Sequence, residues 1–127
     1  MYNTNPQVNP GSTDMLGLVA DNSVGLNPQH ATGGLTIDAA LFAKSGSFTY
    51  MNYDGSLSGY PGGTMGSLNV LGSITQNLRG AVGTVNADGS LNTGYLKNYK
   101  FDNRFYSKNP PFYPAAANRF QLISWRE

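Results

Sequence analysis

The strongest constraint on this chain is an internal repeat. Leu35-Thr36-Ile37-Asp38-Ala39-Ala40-Leu41 is answered by Leu68-Asn69-Val70-Leu71-Gly72-Ser73-Ile74, and Asn52-Tyr53-Asp54-Gly55-Ser56-Leu57 by Asn86-Ala87-Asp88-Gly89-Ser90-Leu91. The offset is 33 residues at the first pair and 34 at the second, so the phase holds over more than twenty residues. Repetition at this period marks units that cannot bury an apolar face alone and must stack to do so.

Within each unit the apolar positions alternate. Leu35, Ile37 and Ala39 share one face of an extended strand, as do Leu68, Val70 and Gly72. Small residues at Ser45-Gly46 and Arg79-Gly80 turn the chain before a second apolar piece, Phe48-Thr49-Tyr50 or Val82-Gly83-Thr84-Val85. Leu16, Leu18 and Ala20 alternate in the same way with Gly17, Val19 and Asp21. Thr36 to Lys44 has the nearest approach to a helical texture, but it is short and lies between glycines, so it reads as strand. The expectation is an all-β fold: a short parallel β-solenoid (β-helix) with hairpins projecting at Asp54-Gly55 and Asp88-Gly89, where the dipeptides signal type I′ turns. A β-sandwich is the alternative.

The 127 residues suit one domain. Residues 1–14, rich in Asn and Pro, read as a flexible lead-in, and 15–127 as a single β domain with repeat units at about 35–57 and 68–91. Residues 94–127 read as an aromatic C-terminal cap. Asn109-Pro110-Pro111-Phe112-Tyr113-Pro114 is expected to run extended there, and Phe120 to Trp125 to form a closing strand. Such a cap would cover the open end of a stack.

Reactive chemistry is sparse. Only 12% of residues are charged, about half the usual 25%, and the net charge is +1. No long-range field draws in nucleic acid or an acidic membrane. Absence of cysteine removes disulfides, thiolate metal sites and thiol nucleophiles. His30, the one histidine, sits in a loop without triad or zinc spacing around it. Gly59-Tyr60-Pro61-Gly62-Gly63 lacks the Lys-Ser/Thr of a phosphate loop. No enzyme and no cofactor are expected. Asn52, Asp54, Asn86 and Asp88 have the oxygen spacing of calcium loops but no later glutamate, so they are weak metal candidates beside an ordinary turn role. Tyr95, Lys97, Tyr99, Lys100 and Arg104 interleave aromatics with cations, a pattern that can stack bases and hold phosphates, or simply clothe an end strand. Tyr50, Tyr53 and Tyr60 with neighbouring Asn and Ser are candidates for a sugar- or protein-binding patch.

Four spaced motifs carry a resemblance. They are Leu71 to Gly83, then Gly94-Tyr95-x-Lys97-x-Tyr99-x-x-Asp102-x-Arg104, then Pro110-Pro111-x-Tyr113-Pro114, and the terminal Ser124-Trp125-Arg126-Glu127. Together with Leu16 to Ala20 they resemble the C-terminal region of bacterial prepilin-like, type IV minor-pilin-like surface proteins. The resemblance implies a secreted β-helical domain carried behind an N-terminal membrane and assembly helix, which these residues do not include. It implies an extracellular or cell-surface location, other surface or pilus subunits or further copies of the chain as partners, no membrane contact from this segment, and no catalytic residues. The function expected is a structural or adhesive module, with a DNA-binding pilin-like module using the basic-aromatic segment as the rival.

Overall fold

The computed structural model describes residues 12–30 and 33–114. The expected closing strand Phe120–Trp125 and the terminal Ser124-Trp125-Arg126-Glu127 lie outside the described residues, as do positions 1–11.

The described chain is all-β, with seven strands: β1 Gly17–Ala20, β2 Val24–Leu26, β3 Leu35–Ala43, β4 Phe48–Tyr50, β5 Thr64–Gln76, β6 Gly83–Val85 and β7 Leu91–Phe101. A five-stranded sheet has the order β1-β3-β5-β7-β6, and a second sheet pairs β2 with β4. Every pairing is parallel except β6 with β7. Parallel neighbours need a long return path, and the chain supplies one by turning a corner after each long strand.

The repeat read from the sequence is a physical register. Leu35 pairs with Leu68, Ile37 with Val70 and Leu41 with Ile74 along β3 and β5. The next strand continues the same rows: Leu68 meets Lys97, Val70 meets Tyr99 and Gly72 meets Phe101. The corners stack as well. Lys44, Ser45 and Gly46 donate backbone N–H groups to the carbonyls of Ala20, Asp21 and Asn22, and Asn77 and Leu78 both donate to Gly46. The small residues at the corners have a steric cause. A Cβ on Gly46 would overlap Ser23 and Asn22, and one on Gly80 would overlap the Phe48 carbonyl.

The core lies between the two sheets. Leu41, Leu68, Val70 and Met65 from the large sheet pack against Phe48, Tyr50 and Val82, with Leu16, Leu18, Val24 and Leu26 closing the first layer. Tyr50 and Tyr95 meet edge to face at 5.1 Å between centroids, an arrangement that suits the ring quadrupoles. Tyr50 is fully buried, so it is not part of a surface patch; Tyr53 and Tyr60 remain exposed.

Three expectations need correction. Both Asp-Gly turns keep the aspartate at negative φ and place only Gly55 (74°) and Gly89 (86°) in the left-handed region, so neither is type I′. At the second, Gly89 N–H donates to Asn86 O and Asn86 N–H to Ser90 O, which closes a three-residue hairpin loop between β6 and β7. At the first, no antiparallel partner follows. Asn52 is buried instead, and its side chain holds the loop, Nδ2 donating to Pro61 O (2.9 Å) and Oδ1 accepting from Leu57 N–H (2.8 Å). Second, Gly94–Phe101 belongs to β7, a full member of the large sheet, so the segment assigned to a cap begins as another stacked strand. Third, the proline segment does not run straight. Tyr113 N–H returns to Pro110 O, with Pro111 at the first central position and Phe112 at φ 59°, the pattern of a type II turn.

From Phe101 the chain crosses back over the outward face of the large sheet. Arg104, in the 3-10 turn Asn103–Tyr106, grips the buried Asp102 through Nε and Nη2 and donates Nη1 to Ser12 O (3.0 Å) and Asp14 O (2.9 Å). The crossing ends where Tyr113 sets its ring on Phe42 and its hydroxyl on Leu41 O.

Candidate functional site

The stacked rows decide where chemistry gathers. An interior position must be apolar only while another layer closes over it. The row Leu35, Leu68, Lys97 changes character at its last member, and the row Ile37, Val70, Tyr99 does so too. Beyond β7, β6 pairs only with residues from Leu91 to Gly94. Among the described residues, no strand covers the far side of Leu96–Phe101.

The interior therefore opens at this end as a mouth of about 360 Å³. Phe48, Ile74, Gln76, Arg79, Gly80, Lys97 and Tyr99 line it. Gln76 is held in place because its Oε1 accepts from Phe48 N–H (2.8 Å) and Gly80 N–H (3.3 Å). Among the described residues its amide NH₂ meets no acceptor and remains a donor for the mouth. The Lys97 ammonium stands 5.9 Å from the centroid of the Tyr99 ring. Its pKa is lowered, first by burial and then by the Arg79 guanidinium, so two cations share one opening. Burial pushes the Tyr99 hydroxyl up to about 12, against a small opposing pull from Arg79. The phenol is neutral at physiological pH and can donate a hydrogen bond.

A second hollow, of about 170 Å³, lies on the outward face of the same strands. Here Thr36, Asn69 and Asn98 form one row and Asp38, Leu71 and Lys100 the next. Asn98 Nδ2 donates to Asn69 Oδ1 at 2.7 Å. The Asp38 carboxyl is raised by burial and by the charge of Asp102, while Arg104 works in the opposite direction. Arg104 in turn lowers the pKa of Asp102 through their direct hydrogen bonds.

The five basic-aromatic candidates do not act together. Tyr95 is core, Lys97 and Tyr99 stand at the mouth, Lys100 faces outward, and Arg104 is committed to Asp102. Strand alternation separates Lys97 from Lys100, because residues of opposite parity point to opposite faces. Arg79 and Gln76, which do join Lys97, were not singled out in the sequence. The repeat carries their signal, since Arg79-Gly80 occupies the same corner as Ser45-Gly46.

The calcium candidates are engaged in their own turns. Asp54 Oδ1 accepts from the backbone and hydroxyl of Ser56, and Asp88 Oδ1 from those of Ser90. These bonds lower both carboxyl pKa values. No group of three or more His, Asp or Glu side chains with metal-holding geometry occurs among the described residues. No helix among them is long and apolar enough to cross a membrane. Comparison of the chain with protein-family models, with curated proteins and with solved structures returned no match.

Proposed function

We propose that this chain is a non-catalytic structural and adhesive module of the bacterial cell surface, pilin-like or pilus-associated, whose working part is a short parallel β-solenoid. The observation that carries the reading is the alignment of strands and corners: β1, β3, β5 and β7 stack in parallel and in register, and the corner after β1 stacks on the corner after β3. A stack of this kind is a stiff spacer whose ends and faces present side chains at fixed separations. The low charge and the Asn-, Ser- and Thr-rich outward rows suit a surface exposed to the medium. The DNA-binding alternative has weaker support, because the cations it needs point in different directions or are already paired.

Shear fractionation of the producing bacterium tests this reading. The chain is expected in the extracellular or filament fraction, by immunoblot of the full-length protein. Recovery from the cytosol alone would overturn it.

A further inference from the structure

The mouth beside β7 has a chemistry that the structural role leaves unused. Three other cations have acidic company: Lys44 pairs with Asp21 at 2.9 Å, Arg104 with Asp102 at 2.6 Å, and Lys100 shares the outward hollow with Asp38. Arg79 and Lys97 share the mouth with each other and, among the described residues that line it, with no carboxylate. Holding two like charges at one opening costs free energy that an anion would recover. Guanidinium and ammonium are also the groups that bind carboxylate and sulfate oxygens through charge-assisted hydrogen bonds.

The rest of the lining narrows the ligand. The volume of about 360 Å³ falls at the small end of ligand pockets, roughly 300–1,000 Å³. Phe48, Ile74 and Tyr99 form an apolar wall, and Tyr99 leaves 40% of its surface open. The Gln76 amide and the Tyr99 hydroxyl add neutral donors. The combination is two cations, two neutral donors and a partly aromatic wall, at an open rather than enclosed end.

We propose that this mouth binds one acidic sugar residue of a surface glycan, its carboxylate or sulfate held between Arg79 and Lys97 and its ring lying against Tyr99. The inference rests on the adhesive reading above and names the ligand class for it. A residue within a glycan fits better than a small organic acid. The wall offers area for a whole ring, and the open side lets a polymer enter and leave.

The test uses the ¹⁵N-labelled full chain with four probes: galacturonate, a galacturonate trimer, galactose 6-sulfate and galactose. Amide shifts are expected at Gln76, Arg79, Gly80, Lys97 and Tyr99 with the three acidic probes and not with galactose. The trimer should bind at least as tightly as the monomer, and affinity should fall as salt rises. Arg79→Gln and Lys97→Gln should each weaken binding about tenfold, with the rest of the spectrum unchanged. Equal binding of galactose, binding of the monomer with exclusion of the trimer, or no shift with any probe would each overturn the proposal. The same samples give amide exchange rates. Strong protection along β3 and β5 without ligand shifts would remove the glycan and leave the rigid module. Loss of that protection would remove the module whatever the mouth binds.

Discussion

Asn52 and Asn86 occupy equivalent places in the two copies of Asn-x-Asp-Gly-Ser-Leu, yet replacing each by alanine should have very different consequences. Asn52 is only 1% exposed and makes two hydrogen bonds to backbone groups five and nine residues away. Asn52→Ala strands the Leu57 N–H and the Pro61 carbonyl. An unsatisfied buried polar group costs about 1–3 kcal/mol. Both backbone groups lie in an exposed loop that water can reach, so each belongs near the low end. With the lost packing, about 2–4 kcal/mol follows for Asn52→Ala. Asn86 is exposed, and its side chain reaches only the Ser90 hydroxyl at 3.0 Å. Its backbone closes the hairpin without it, so Asn86→Ala should cost no more than roughly 0.5 kcal/mol. Urea denaturation of both variants, followed by far-ultraviolet circular dichroism, measures the difference. The midpoint should fall clearly for Asn52→Ala at unchanged slope, and stay near that of the parent for Asn86→Ala. Equal costs within about 0.5 kcal/mol would refute the claim that burial, not motif, sets the role of these residues.

Gly72→Ala should destabilise by more than the roughly 1–3 kcal/mol of ordinary overpacking, because the new Cβ would overlap the Ala39 carbonyl and force β3 from β5. Gly63→Ala, with open space around it, should stay within about 1 kcal/mol of the parent in the same urea titration. Asp102 titrates below its unfolded range because of Arg104, so its contribution is present above about pH 3.9 and is lost as pH falls through the lower folded value. Asp102→Asn should therefore flatten the acid limb of a stability–pH curve between pH 6 and 2. Asp38 has the opposite sign: its raised folded value makes ionisation cost stability as pH rises from about 3.9 through that value, so Asp38→Asn should remove a loss rather than a gain. An ultraviolet titration of phenolate should lose a component near 12 in Tyr99→Phe.

The stacking of the strands was legible because it is periodic. Apolar residues at every second position make strands, and the same pattern returning after 33 residues puts Leu35 beside Leu68. The corners were legible too, since glycine recurs where a side chain would strike the layer below. The continuation into β7 was harder to see. Lys97, Tyr99 and Phe101 sit in the interior rows without being aliphatic, and their density of aromatic and basic residues suggested a cap. At the last layer the demand for an apolar side chain lapses, and the repeat loses the hydrophobic signature by which it is recognised.

By itself, then, the order of amino acids determined strand parity, the register of β3 on β5, and the scarcity of reactive groups. Only the tertiary structure decided which asparagine of a repeated motif is buried, that Arg79 and Lys97 share an opening, and that Arg104 is bound to Asp102 and to the backbone at Ser12 and Asp14. The physical reason is range. Parity and period follow from local backbone geometry, whereas burial and charge neighbourhood depend on segments that meet only after the chain has returned on itself.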